Sequence, residues 1–311
     1  NEINSLFISS KHIFSFITKN KINSQFIIQG SCALALNDKK FWRKINDIDV
    51  LNNNIDPKIE IKNSKLITDF INYQKFELNE YVIEYLKTKV VPDKYVKNKD
   101  NIYFVNVYWQ IAMKISQLIQ LLIDSNQNKL KINNTITDLA WLYYFHNDFF
   151  SSYKNIRTAF RTLILSNFYF AYFVKYKDRC IDNIELIKRK LENFINNDYS
   201  YKFKFKHFCT FLLKDYFLDF MFDDYTTNLI RSCNDLLNEK EKIWKKILEA
   251  DLNNELNSLI INNVIYKDNF WINWSEEFIS IAQALMFNAK DVRIFLNKEI
   301  IKKMECNNGN S

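Results

Sequence analysis

The chain has 311 residues, of which 48% are hydrophobic and 25% charged, and its formal net charge is +7. These proportions are typical of a soluble globular protein with a buried core, in one large domain or two ordinary ones, and the mild positive charge is compatible with a nucleotide or nucleic-acid partner without requiring one. The five cysteines are scattered and form no Cys-x-x-Cys pair, which argues against a disulfide scaffold and predicts a reducing, cytoplasmic location.

The predicted strands are all found in the N-terminal third. Residues 26–28 predict a short buried strand, and residues 31–36 predict the helix that follows it. Apolar and acidic residues alternate over 45–51, which indicates a second strand. Residues 76–87 predict one or two further strands, and 102–107 predict another.

Beyond the last predicted strand, apolar residues recur at helical spacing almost to the C-terminal end. The longest apolar run, around 162–174, is shorter than the roughly 20 apolar residues of a bilayer span, so it predicts a buried helix and no membrane partner. With only two glycines and two prolines, the chain has few tight turns, which also favours helices. We therefore predict an α+β chain: a small mixed sheet with flanking helices in domain 1–108, then a large all-helical domain at 109–311. The first helices of the second domain, 109–145, would complete the site described next.

One group of residues in the N-terminal third predicts a site for phosphate and a metal ion. Gly30 lies between a predicted strand and a predicted helix, where glycine permits a positive φ and a close backbone approach to a ligand. The amides and the Ser31 hydroxyl at the helix start can hold phosphate oxygens. Asp47 and Asp49 are two residues apart on a predicted strand, so their carboxylates share a face. Paired carboxylates need a neutralising cation, and their hard oxygens suit Mg²⁺, which can assist phosphoryl transfer.

The order strand, Gly30-Ser31, helix, then Asp47-x-Asp49 on the next strand resembles the nucleotidyltransferase superfamily, with its DNA polymerase β-like fold. The motif over 30–36 is similar to that of the AbiEii-type branch, which includes nucleotidyltransferase toxins of bacterial toxin–antitoxin and phage-defence systems. The resemblance implies that Gly30 and Ser31 bind the phosphates of a nucleoside triphosphate. It also implies that Asp47 and Asp49 coordinate Mg²⁺ or Mn²⁺.

A second match lies on the helices after the predicted sheet. Lys114 in an Ala-x-Lys-hydrophobic step, a basic stretch at 129–131 and Asp138 before a leucine follow one another in the order found in such proteins. The resemblance, which covers about residues 26–145, implies that Lys114 reaches the triphosphate. It also implies that Asp138 is a further catalytic or positioning residue.

Two features depart from the family pattern. Fifteen residues separate Ser31 from Asp47, a few more than is usual, and a longer helix or loop would absorb them. Many of these enzymes have a third carboxylate on a later strand, and no residue of this sequence clearly corresponds to it. Glu84 is the first choice and Glu77 the second, while Asn106 stands at a plausible position but would be a poor metal ligand.

Plainer interpretations stay open for the same residues. Asp47 and Asp49 could be solvated residues of an edge strand. Lys114 could extend to solvent from an amphipathic helix. Asp138 could cap a helix, and Glu84 could be a surface acid.

Aromatic and basic residues alternate over 199–206. As a strand, this segment would place Lys202, Lys204 and Lys206 on one face and the rings on the other, an arrangement that suits RNA phosphates and bases. The alternative is an amphipathic element that buries its rings and solvates its lysines.

We expect the chain to transfer a nucleoside monophosphate from a nucleoside triphosphate to an acceptor hydroxyl. RNA such as a tRNA 3′ end is the favoured acceptor, with a protein side chain or a small molecule still open, and an antitoxin protein is a further candidate partner. Two rivals are a non-catalytic helical interaction protein and a poly(A)-polymerase-like enzyme. If Asp47 and Asp49 pointed to opposite faces, or were covered by packed side chains, the enzyme hypothesis would fail.

Overall fold

A computed structural model describes residues 8–9, 11–20, 26–37, 40–51, 59–69, 74–85, 91–124, 126–168, 184–214 and 216–228. The strands in these ranges are β1 (Ile8–Ser9), β2 (Ile27–Gln29), β3 (Lys40–Phe41), β4 (Asp47–Leu51), β5 (Lys65–Asp69), β6 (Gln74–Leu78), β7 (Tyr81–Tyr85), β8 (Val96–Lys99) and β9 (Ile102–Val105). The helices are α1 (Lys11–Lys19), α2 (Gly30–Asn37), α3 (Val107–Ile123), α4 (Lys129–Phe145), α5 (Asn147–Phe150), α6 (Tyr153–Phe168), α7 (Ile184–Asn197), α8 (Lys206–Lys214) and α9 (Phe217–Met221).

Seven strands form one mixed sheet in the order β5-β6-β7-β4-β2-β9-β8. β4 pairs in parallel with β7, and β2 pairs in parallel with β9, whereas the other neighbours are antiparallel. β1 and β3 form a separate two-stranded pair. The predicted fold class, a mixed sheet followed by helices, is confirmed over the described part of the chain.

The sequence pattern does not predict β1, β3, β5 or β8. Two of these strands, β5 and β8, lie at the edges of the large sheet, and each has exposed residues at most of its positions. An edge strand pairs on one side only, so its sequence carries a weaker alternation of apolar and polar residues than an inner strand.

The core lies on the face of the sheet opposite the acidic residues of β4. On that strand Ile48 and Val50 are buried, whereas Asp47 is exposed and Asp49 half-buried, because successive side chains point to opposite faces. Helix α3 packs against α2, α4, α6 and α7 and joins the sheet to the helices that follow. The buried rings of Trp109 and Trp141 are among the largest side chains in this core.

Of the two interpretations of 199–206, the strand does not form. Residues 200–205 form successive turns, and α8 begins at Lys206. The amide of Phe205 donates to the Tyr201 carbonyl at 3.0 Å, so local turns satisfy the backbone and no partner strand is needed. Lys202, Lys204 and Lys206 therefore do not share one strand face.

The predicted buried helix at 162–174 corresponds to the second half of α6 as far as Phe168, and residues 169–174 lie outside the described residues. The predicted helices from residue 229 onwards also lie outside them. Over the part of the chain that the structure describes, no helix is both long and apolar enough to cross a bilayer.

Candidate active site

Gly30 begins α2 directly after β2 and has a φ of 68°. A Cβ atom at this position would lie 2.2 Å from Asp49 Oδ2. An L-residue therefore meets two obstacles here, a left-handed backbone conformation and a carboxylate that would have to move. The glycine allows the Asp49 side chain to lie against the start of α2.

Three carboxylates meet on the polar face of the sheet. The parallel pairing of β4 with β7 places Asp49 in register with Glu84. One carboxylate oxygen each of Asp47, Asp49 and Glu84 lies within 4.8 Å of the others. Carboxylates this close repel one another, and a hard divalent cation such as Mg²⁺ or Mn²⁺ relieves that repulsion with oxygen ligands. The donor set therefore fits the metal that the sequence predicts.

Of the candidates for the third metal ligand, the structure places Glu84 beside both aspartates. Glu77 lies one strand further away, on β6, where it is exposed. Asn106 caps α3 instead, because its side-chain oxygen accepts a hydrogen bond from the Trp109 amide at 3.0 Å.

Two cations converge on Ser31. Lys114 Nζ lies 3.3 Å from Ser31 Oγ, and the Arg43 guanidinium also donates to this oxygen. The same cations bind Asp138: Lys114 Nζ is 2.8 Å from Oδ2, and Arg43 contacts the two carboxylate oxygens at 3.1 and 2.9 Å. Lys114 is thus largely buried and does not extend to solvent.

Asp138 is fully buried and holds these cations in place. The Trp42 indole Nε1 donates to Asp138 Oδ1 at 2.7 Å, so its carboxylate receives three different donor groups. Burial by itself would raise the pKa of Asp138, but the charges and hydrogen bonds of Lys114 and Arg43 outweigh it and keep the pKa below its ordinary value. Asp138 lies inside α4, so it does not cap the helix start.

The sequence pattern does not predict a role for Arg43 or Trp42, which lie in the bend between β3 and β4. Burial would lower the pKa of Arg43, but the attraction of Asp138 raises it above its ordinary value, so the guanidinium is firmly charged. Arg43 and Asp138 are 95 residues apart in the chain, so no local pattern pairs them. The one available signal is an arginine four residues before Asp47.

The three clustered carboxylates, Ser31, the two cations and Asp138 line one cavity of about 380 Å³, which is within the range of small-molecule sites. The side chains on α3 and α4 that line it recur at helical spacing, so each helix turns one face to the cavity. The lining residues are Gln29, Gly30, Ser31, Arg43, Asp47, Asp49, Glu84, Gln110, Met113, Lys114, Gln117, Lys131, Asn134, Thr135 and Asp138. Every residue of the predicted catalytic, metal and nucleotide sets is among them.

Comparison with known proteins adds little to this site. No family model matches the chain, and no curated protein matches it. The crystal structure of JHP933 from Helicobacter pylori is similar, with 14% identity and a TM-score of 0.36 over 77% of this chain and 95% of that one. The structure of a candidate nucleotidyltransferase from the same organism is also similar, with 14% identity and a TM-score of 0.34 over 75% and 95% of the two chains.

Proposed function

We propose that this protein is a metal-dependent nucleotidyltransferase that moves a nucleoside monophosphate from a nucleoside triphosphate to an acceptor hydroxyl. The observation that carries the proposal is a single cavity with two chemically distinct sides. Asp47, Asp49 and Glu84 supply an acidic cluster on the sheet, and Arg43 and Lys114 supply cationic donors beside Ser31. A metal-bound triphosphate needs both kinds of group within a few ångströms of each other.

The cationic side would bind the β and γ phosphates. The planar Arg43 fork and the Lys114 ammonium form strong charge-assisted hydrogen bonds to phosphate oxygens. The Ser31 hydroxyl and the backbone amides at the start of α2 add further donors. Asp138 and Trp42 act as positioning residues, because they hold the two cations and need not touch the substrate.

The acidic side would hold the cation. Mg²⁺ or Mn²⁺ bound by Asp47, Asp49 and Glu84 would neutralise negative charge on the triphosphate. The acceptor oxygen attacks the α-phosphorus and forms a new P–O bond. The bond from the α-phosphorus to the bridging oxygen breaks, and pyrophosphate leaves with the bonding electrons. The hydroxyl proton passes to a base in the acidic cluster, for which Glu84 is our candidate.

We also propose RNA, such as a tRNA 3′ end, as the acceptor, a cytoplasmic location, and a growth-inhibiting role that an antitoxin protein would neutralise. The AbiEii-type resemblance of the motif around Gly30 and the net charge of +7 support these points. We retain the domain boundary at residue 108, with helices in 109–145 completing the site. Cavity-lining residues on α3 and α4 support the second of these points. An RNA-binding role for Lys202, Lys204 and Lys206 stays an untested prediction.

An incorporation assay tests the proposed reaction. Each of the four nucleoside triphosphates, labelled at the α-phosphate, is incubated with the protein, Mg²⁺ and total RNA. The inactive comparison is Asp47→Asn/Asp49→Asn. The matched control is Asp93→Asn/Asp100→Asn, which removes two exposed carboxylates outside the cavity.

Label that moves to RNA with the wild type and the matched control, but not with Asp47→Asn/Asp49→Asn, would support the proposal. One or a few added nucleotides fit a toxin-like enzyme, whereas a long adenylate ladder would identify a poly(A)-polymerase-like activity. If no label reaches RNA, protein or small molecules with either Mg²⁺ or Mn²⁺, the proposed reaction is wrong and the interaction-protein hypothesis is favoured.

A further inference from the structure

The polar face that carries the carboxylates continues across the sheet beyond them. The strand register extends the row formed by Asp49 and Glu84 to Lys75 on β6 and then to Thr68 on β5. Residues directly opposite each other on neighbouring strands point to the same face. Lys75 therefore lies next to Glu84 on the side away from Asp49, and its side chain is half-buried.

A second row runs parallel to the first. It starts at Asp47 and continues through Val82 and Glu77 to Lys65 on β5. Asp47, Glu77 and Lys65 are exposed, and Val82 is half-buried. The part of the sheet formed by β7, β6 and β5 thus has an accessible polar face that is continuous with the acidic cluster.

The geometry of the proposed reaction predicts the side from which the acceptor hydroxyl approaches. In an in-line displacement, the attacking and leaving oxygens lie on opposite sides of the phosphorus. Pyrophosphate would leave towards Ser31, Arg43 and Lys114, and Ser31 follows β2, on one side of β4 in the sheet order. The attacking hydroxyl would then approach from the other side of β4, where β7 carries Glu84 and β6 and β5 follow.

We infer that the face of β7, β6 and β5 binds the acceptor, a single-stranded RNA, and that Lys75 and Lys65 contact its phosphates. The inference rests on the proposed function, because the transfer reaction supplies the direction. Neighbouring strands are about 4.8 Å apart, so Lys75 can hold a phosphate close to the hydroxyl that reacts beside Glu84. Lysine ammonium groups contact backbone phosphates regardless of base. Glu77 lies opposite Lys65 on the neighbouring strand, and its negative charge interrupts the basic surface. We therefore expect the two lysines to contact individual RNA phosphates and not to form a continuous basic groove.

RNA binding as a function of salt tests this surface without catalysis. The anisotropy of a fluorescein-labelled single-stranded RNA is titrated with the full chain at several salt concentrations, with no nucleoside triphosphate present. The test variant is Lys75→Gln/Lys65→Gln. The matched control is Lys97→Gln/Lys99→Gln, which removes two exposed lysines from β8 at the opposite edge of the sheet. Circular dichroism confirms that both variants are folded.

Each phosphate contact to a single strand contributes about 0.7 to the slope of log Kd against log salt. We expect the Lys75→Gln/Lys65→Gln variant to lose about 1.4 of that slope, and the control variant to keep the wild-type value. An unchanged slope in the test variant overturns the inference. An equal loss in both variants does the same, because it indicates diffuse attraction to the whole chain.

The result also separates this inference from the proposed function. If the wild type does not bind the RNA, the surface assignment is wrong, while label transfer to a protein or a small molecule would still support a nucleotidyltransferase. If the slope changes as expected but no nucleotide is transferred to any acceptor, the RNA surface stands and the enzyme assignment fails.

Discussion

The Asp49 carboxylate occupies the space that a side chain at Gly30 would need. The position of a Cβ on Gly30 lies 2.2 Å from Asp49 Oδ2, and the φ of 68° at Gly30 is one that other residues rarely adopt. The start of α2 and the middle of β4 are therefore matched to each other. A side chain at position 30 would therefore displace the Asp49 carboxylate from its place in the candidate site.

Gly30→Ala should lower both activity and stability. The backbone strain is worth about 1–2 kcal/mol, whereas displacement of Asp49 by about 1 Å should lower the transfer rate about 100-fold. Transfer rates and thermal unfolding check this. Asn101→Ala, at another positive φ of 60° in the β8–β9 turn, is the matched control and should lose stability alone. Comparable activity in Gly30→Ala and the wild type would contradict the close approach.

Asp49→Asn should weaken metal binding. The three carboxylates lie within 4.8 Å, and the amide oxygen of asparagine is a weaker ligand for a hard divalent cation than a carboxylate oxygen. Calorimetric titration with Mn²⁺ should show an affinity at least about 10-fold lower. Glu77→Gln, one strand away from Glu84, should leave Mn²⁺ affinity unchanged. A metal affinity that is equal in all three proteins would rule out this cluster as the metal site.

Asp138→Asn should destabilise the fold in a manner that depends on pH. The folded-state pKa of Asp138 is lowered, so the carboxylate stabilises the fold above the unfolded-state value of about 3.9. This contribution is lost as the pH falls below that value and through the lower folded-state pKa. At neutral pH the variant leaves Arg43 and Lys114 without their buried partner, which costs about 3–5 kcal/mol.

Urea unfolding at neutral pH and below about pH 3 checks the prediction, because the difference between Asp138→Asn and the wild type should shrink in acid. Asp198→Asn is the control, since its ion pair with Lys129 lies at the surface and is worth at most about 1 kcal/mol. A difference that is the same at both pH values would mean that Asp138 contributes by packing and not by charge.

Trp42→Phe should raise the KM for the nucleoside triphosphate and change kcat little. The variant keeps a ring but removes the indole donor to Asp138, and a hydrogen bond to a charged group contributes about 1.5–3 kcal/mol. Arg43 and Lys114 would then be held less firmly for the phosphates. Steady-state kinetics together with urea unfolding separates this positioning effect from a general loss of stability.

Trp141→Phe is the matched control for that experiment. Trp141 is also buried, but its Nε1 has no hydrogen-bond partner among the residues that the structure describes. We expect this variant to keep the wild-type KM. An equal rise of KM in both variants would show that ring packing, and not the bond to Asp138, positions the cations.

The amino-acid sequence by itself determined the local parts of this site. A glycine between a buried strand and a helix, and two aspartates with the period of a strand, are patterns that depend on neighbouring residues, so they predicted β2, α2 and β4 and the shared face of Asp47 and Asp49. The helical spacing of apolar residues likewise predicted α3 and α4, on which Lys114 and Asp138 lie.

Only the tertiary structure decided which distant residues complete the site. Glu84 joins the aspartates because β7 pairs in parallel with β4, and strand register depends on the whole sheet. Arg43 and Trp42 meet Asp138 across 95 and 96 residues of chain, and a buried ion pair leaves no periodic trace in either segment. The alternation at 199–206 allowed either a strand or an amphipathic element, and only the tertiary structure decided between them. Local turns satisfy the backbone of this segment, so it does not form a strand.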